Sequence, residues 1–366
     1  MFGERLKLAR KRAGLSLRGL ADRLDNKVSA QAIGKYEGGQ MFPSSSVLLA
    51  LSEALEVDPD FLTSAQVAEL CGVEFRKNAS SKAKEAARVE AAVIDSVERY
   101  LSIEAVLDLP SESHALESRE PVTVSSYEEA EKVADELRAE WKLGLDPLPG
   151  ATKLLEEKGM KVLALPMPST FSGLTCEVKR SGGLPSLPVI VVSTGFSIER
   201  RRFTILHELA HRIIGGGTKG NIDHEKVMHR FSSAFLMPAA SMRAEFGESR
   251  HALAYEEIKR VKQFFGVSAA ALIYRLRDLG IIRDGYMAYV FQTYGRNWRT
   301  VEPDPLQPQP GTVRAEQPER FERLVYRALA EQLIALPKAS TLLQKPMHDV
   351  EIAIRGPAVS DAYHSQ

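Results

Sequence analysis

The sequence has only two cysteines, Cys71 and Cys176, far apart and outside any C-x-x-C pattern. That count and spacing suggest neither a disulfide framework nor a thiolate zinc site. No apolar run reaches the roughly 20 residues that span a bilayer. The first residues, MFGERLKLARKRAGLSL, lack the apolar stretch and small-residue cleavage site of a secretory signal. The expected setting is cytoplasmic, with no membrane partner. Net charge is absent as well: 48 Lys and Arg balance 48 Asp and Glu, and hydrophobic residues make up 44%. Such a chain is globular rather than disordered. Its 366 residues exceed one ordinary core and predict two or three domains.

The zero sum hides an uneven distribution. Residues 1–40 carry four Lys and five Arg against Glu4, Asp22, Asp25 and Glu37, an excess of five positive charges. A segment of that sign suits a polyanion. Its pattern is a series of short helices. FGERLKLARKRA places Leu6, Ala9 and Ala13 on one face and stops at Gly14, and Ser16 caps LRGLADRL, with Leu17, Leu20, Ala21 and Leu24 at helical spacing. Ser29 opens AQAIGKYE, which stops at Gly38-Gly39, and VLLALSEAL after Pro43 and DPDFL complete five helices. The runs GLSLRGLADRL, VSAQAIGKYEGG and LLALSEALEV resemble the Cro/C1-type (XRE) helix-turn-helix over nearly all of residues 2–62. That resemblance implies that the helix at about 29–37 enters the major groove of double-stranded DNA, with Gln31 suited to an adenine edge. Ser29, Gln31, Lys35, Arg18 and Lys27 are the candidate DNA contacts. Leu17 stands where such domains usually carry a glutamine that braces the DNA backbone.

Residues 78–107 are rich in Ala, Glu, Lys and Arg and free of Gly and Pro, which predicts a long helix. It either pairs with its copy in a homodimer or packs on the next domain. Residues 108–121 have the composition of an exposed linker. Beyond them, residues 125–142 read as a helix with a capping box at Ser126 and Glu129, and a further helix follows Pro149. MKVLAL, FSGLTCEV and PVIVVS then read as three strands.

After the strands comes RRFTILHELAHRIIGG, with His207, Glu208 and His211 in the order H-E-x-x-H. Histidines four apart project from one helix face, so both imidazoles reach a single tetrahedral zinc while Glu208 leans toward a water molecule. Phe203, Ile205, Leu206, Leu209, Ala210 and Ile213 make the helix apolar on most sides. Three polar groups on a buried helix need partners, and a metal is the simplest common one. A catalytic zinc site keeps three protein ligands and one open position. The metzincin extension does not supply the third, because Ile214 and Gly217 occupy its glycine and histidine positions. Asp223, His224, Glu225 and His229 are the nearby candidates.

RRFTILHELAHRI, the spacing from Glu225 to Phe231 and the following LMP look like the ImmA/IrrE family of metallopeptidases. The resemblance implies His207, His211 and Glu225 as zinc ligands. It makes Glu208 the general base that takes a proton from the activated water and passes it to the leaving amine. His229, where the family often has asparagine, and His224 become candidates for supporting hydrogen bonds or oxyanion stabilisation. The stretch at 261–282 is similar to the helical region that follows the core in this family, with Leu272, Leu276 and Leu279 as packing residues. YMAYVFQT reads as one more strand, and four prolines within 303–310 read as an extended linker before an amphipathic helix bearing Phe321, Leu324, Val325 and Leu329.

The expected fold is α+β and mainly helical. Its parts are a helix-turn-helix domain at 1–65, a helical linker at 66–121, a peptidase domain with a small sheet at 122–300, and a Pro-rich linker with helical appendage at 301–366. The expected function is a DNA-binding regulator with zinc-dependent endopeptidase activity, one Zn2+ per chain, with Mn2+ and Fe2+ compatible with the same donors. Family resemblance points to a helix-turn-helix repressor as substrate, and the fusion of the two domains prompts a second expectation, the chain itself through the linker at 108–121. The competing reading is a transcription factor whose peptidase-like domain senses a ligand or metal without cutting.

Overall fold

The computed structural model describes residues 2–57, 59–63, 67–71, 80–111, 119–180, 184–215, 217–298, 300–307 and 316–355. These divide into two units. The first comprises Met1–Glu112, Glu177–Leu187 and Glu319–Gln366, the second Ser113–Cys176 and Pro188–Pro318.

In the first unit, five helices α1 (Phe2–Arg12), α2 (Leu17–Arg23), α3 (Ala30–Glu37), α4 (Ser45–Leu55) and α5 (Pro59–Thr63) enclose Leu6, Leu20, Leu24, Ile33, Leu51 and Leu55. Three serines begin three of them. The hydroxyls of Ser16, Ser29 and Ser44 accept the amides of Gly19, Ala32 and Val47 at 2.9, 3.2 and 3.4 Å, satisfying donors that a helix start leaves unpaired. The long helix α6 (Ser80–Val106) holds α1 through an ion pair of Arg5 with Glu98 and one of Arg12 with Asp95 at 2.6 Å. Thus part of the basic excess is used internally. Helices α15 (Arg320–Ala330), α16 (Leu336–Leu343) and α17 (Met347–Arg355) build a separate small core with Tyr100 and Ile103 of α6, around Leu324, Val325 and Leu342. Residues 301–318, which include the Pro-rich run, belong to the second unit, and residues 319–366 belong to the first. The segment read as a helical linker also contains a strand, β1 (Val67–Cys71), which pairs antiparallel with residues 177–180. Of the linker expected at 108–121, residues 112–118 lie outside those described.

The second unit contains α7 (Tyr127–Glu140), α8 (Ala151–Glu157), β2 (Lys161–Leu165), the first half of β3 (Gly173–Arg180) and all but the first residue of β4 (Leu187–Ser193). It continues with α9 (Ile198–Ile213), α10 (His224–Leu236), α11 (Ala239–Phe246), α12 (Tyr255–Phe265), α13 (Ala269–Asp278) and α14 (Asp284–Gln292). β4 lies between β3 and β2, and its parallel register with β2 runs from Lys161 opposite Val189 to Leu165 opposite Ser193. Every residue of β4 is buried, as expected of a strand covered on both faces. The capping box at α7 forms with a shift of one residue: Ser126 accepts the Glu129 amide at 3.2 Å, while the Glu129 carboxylate reaches back to the Ser125 amide at 2.6 Å.

One expectation is overturned. YMAYVFQT is helix α14, not a strand. Val290 is buried and Tyr286, Met287 and Phe291 pack beside it, an i, i+1, i+4, i+5 pattern of one helical face. Helices α12 and α13 join at Gly266, and Ser268 accepts the Ala271 amide at 3.1 Å to start the second. Leu272 and Leu276 are fully buried in the main core, as the sequence predicts.

Candidate metal centre

Helix α9 begins where the Ser197 hydroxyl accepts the Arg200 amide at 3.3 Å. Ile205, Leu206, Leu209, Ala210 and Ile213 bury its apolar faces, so the remaining face presents His207 and His211 together. Helix α10 packs against both α7 and α9. Asp223 caps it by accepting the Lys226 amide at 3.3 Å, which places Glu225 in its first turn. A carboxylate is favoured there by the helix dipole.

Three side chains converge. The Nε2 atoms of His207 and His211 are 3.1 Å apart, His207 Nε2 is 3.3 Å from Glu225 Oε2, and His211 Nε2 is 3.9 Å from Glu225 Oε1. Among the described residues this is the group of three that fits one metal ion. Donors at zinc bond lengths of 2.0–2.1 Å and tetrahedral angles stand about 3.3 Å apart, and the observed spacings bracket that value. Two facing imidazole nitrogens can share only one proton, so a cation between them relieves the contact. The buried Nδ1 of His207 has no hydrogen-bond partner among the described residues. Of the other candidates, Asp223 is committed to its cap. His224 has its ring 5.4 Å from that of His211, and His229 has its ring 4.9 Å from that of His207 and 5.7 Å from that of Phe203.

The electrostatics suit a site that handles protons. Burial pushes the Glu208 carboxyl up to about 7, aided by the nearby Glu225 and opposed by His207 and by the Thr175 amide. Burial, with the neighbouring His207, pulls His211 down to about 4, against the attraction of Glu225. His211 is therefore neutral at pH 7 and free to act as a ligand.

Strand β3 supplies two residues that the sequence reading missed. The Thr175 backbone lies beside Glu208 and favours its charged form. Gly173 lets the strand come close enough, since a Cβ there would meet Thr204 Cγ2 at 2.5 Å and the Val191 carbonyl at 2.9 Å. A glycine inside a strand pattern is the one signal that points to such an approach.

In the first unit Arg18, Lys27, Ser29, Gln31 and Lys35 are all exposed. Arg10 and Arg23 pair with Glu37 and Glu56, both at 2.6 Å, whereas Arg18, Lys27 and Lys35 have no ion-pair partner among the described residues. Ser29 uses its oxygen as a helix cap, which leaves its O–H as a donor.

Five helices around a serine-capped α2–α3 pair, and a sheet supporting an H-E-x-x-H helix, define a regulator-type DNA-binding domain joined to a metallopeptidase-like domain. Residues 1–62 match a helix-turn-helix domain, and residues 155–277 match the IrrE N-terminal-like domain of peptidase M78. Over 62 residues the chain is 45% identical to the SPbeta prophage-derived uncharacterized HTH-type transcriptional regulator YonR of Bacillus subtilis (strain 168), a match covering 17% of this chain and 56% of that relative. The chain thus spans just over half the length of that curated relative. It carries a helix-turn-helix domain and an IrrE-like peptidase domain. No helix among the described residues is long and apolar enough to cross a membrane.

Proposed function

We propose that this chain is a cytoplasmic, DNA-binding regulator with zinc-dependent endopeptidase activity toward a protein, either a helix-turn-helix repressor or the chain itself. The observation that carries the reading is the convergence of His207, His211 and Glu225 with the buried Glu208 beside them. A divalent ion held by the three ligands would supply Lewis acidity and lower the pKa of water to about 7. Zinc suits two imidazoles and a carboxylate, and Mn2+ and Fe2+ suit the same donors. Glu208, buried beside the three donors and not one of them, is placed to take a proton from water and return it to the departing amine.

Cutting is favoured over sensing by Glu208 itself. It is not one of the three donors, and a sensor gains nothing from a buried carboxylate beside its metal. For the DNA-binding half, the exposed and unpaired Arg18, Lys27 and Lys35 support phosphate contact, and Gln31 on α3 supports base contact. Paired half-sites on DNA favour a homodimer.

The test is cleavage. Zinc-loaded wild type and Glu208→Gln are each incubated with a proteome-derived peptide library, and new termini are read by mass spectrometry. The expected result is cleavage by the wild type alone. Equal products from both proteins, or none from either, contradict the endopeptidase reading.

A further inference from the structure

Helix α9 is gripped at its amino-terminal half by chain that follows α14. At one end, the fully buried Lys262 of α12 donates to Glu199 of α9 at 3.0 Å and to the carbonyls of Pro303 and Asp304 at 2.9 and 2.8 Å. Glu199 also accepts the Leu306 amide at 2.7 Å. At the other end stands Glu316, fully buried, with a backbone φ of +49°, a left-handed conformation uncommon outside glycine.

The Glu316 carboxylate is completely engaged. It accepts the amides of Ala151 and Thr152 at 2.9 and 2.8 Å, the Thr152 hydroxyl at 2.8 Å and the Arg202 guanidinium at 2.5 Å. Arg202 also donates to the carbonyls of Leu148 and Pro149 at 2.7 and 3.2 Å. Its slot is shaped for it. Gly266, at φ +66°, lies so close that a Cβ would stand 2.9 Å from Arg202 Nε. Arg201, next along α9, reaches the Glu316 carbonyl at 3.4 Å.

A buried ion pair of this kind is weak evidence for stability, because apolar residues of the same volume often do as well. What it does supply is fixed geometry, since Arg202 is held from several directions at once. Arg202 precedes His207 by five residues, about one and a half turns of the same helix. Any shift of α9 along its axis moves both imidazoles against Glu225, which sits on α10. Glu316 lies outside the residues 155–277 that match the peptidase domain. We infer that Glu316, acting through Arg202, is a positioning residue for the metal centre: it locks α9 against α8 so that His207 and His211 meet Glu225. The inference rests on the metal-centre reading above.

The experiment uses full-length protein and zinc alone. Affinity is measured by competition with a chromophoric chelator for wild type, Glu316→Gln, Thr152→Val and the core variant Leu276→Ala, with circular dichroism and thermal melting of each. The d–d spectrum of the Co2+-loaded forms reports ligand geometry. Glu316→Gln is expected to bind zinc at least about tenfold more weakly, as loss of groups that orient metal ligands does, with an altered Co2+ spectrum. Leu276→Ala is expected to melt earlier yet bind with wild-type affinity, whereas a merely structural role for Glu316 would make the two variants lose affinity alike. Should Glu316→Gln fail to fold, Thr152→Val, which removes one donor and no charge, carries the test and is expected to weaken binding. Wild-type affinity and spectrum in the folded variants overturn the inference and leave the metal centre standing. A wild type that takes up no zinc overturns the metal centre and the inference together.

Discussion

His207 Nε2 stands 3.3 Å from Glu225 Oε2, and this contact ties α9 to the first turn of α10. Four acids and histidines lie within the seven positions 223–229, and the donor group includes one of them. Glu225 completes the donor triangle, Asp223 is turned to its own helix, and the two remaining histidines lie beside the triangle rather than in it. His229→Ala is therefore expected to keep about one zinc per chain. Elemental analysis checks this, and loss of the metal would make His229 a ligand.

The metal-free chain should carry a pH signature of Glu208. Its carboxyl titrates at about 7 when folded, against an ordinary value of 4.5. Between those values the folded chain holds a proton that the unfolded chain has released, so stability falls as pH rises through the window. Below 4.5 there is no penalty, and above 7 it levels off at roughly 3 kcal/mol. His211 has the opposite sign: with its pKa lowered from 6.5 to about 4, its contribution falls as pH drops through that range. Glu208→Gln removes only the first effect. Urea unfolding of metal-free proteins should show the variant gaining on wild type from pH 4.5 to 7 and holding that gain above. Parallel profiles would contradict a buried carboxylate.

On DNA, the two kinds of contact should separate. Lys35→Ala is expected to weaken binding to all duplexes alike and to reduce the salt slope by about 1. Gln31→Ala is expected to cost about 1–3 kcal/mol at an adenine position while leaving the salt slope unchanged. Fluorescence anisotropy at several salt concentrations reads both. A salt-independent affinity would argue that the exposed face of α3 docks protein instead.

Much of this was legible in the sequence, because local chemistry marks it. Ser16, Ser29 and Ser126 announce helix starts by residue type, and the spacing of His207 and His211 fixes their common face whatever surrounds the helix. What escaped depends on distant partners. β1 is five residues long with a register shift between Val67 and Glu69, and its pairing lies more than a hundred positions away. The aromatic residues of YMAYVFQT suit a strand by propensity, and burial of Val290 and its neighbours overrides that preference. Glu316 is one acid after a Pro-rich run, and nothing nearby in sequence reveals Arg202 and Thr152 as its partners.

The most direct measurement is bound metal on protein purified without a metal-affinity tag, by mass spectrometry, for wild type, His207→Ala and Glu225→Ala. Near-stoichiometric zinc in the wild type, lost in both variants, is the predicted result. A wild type that stays metal-free even when zinc is offered would contradict the account, and the converging side chains of α9 and α10 would then serve only the fold.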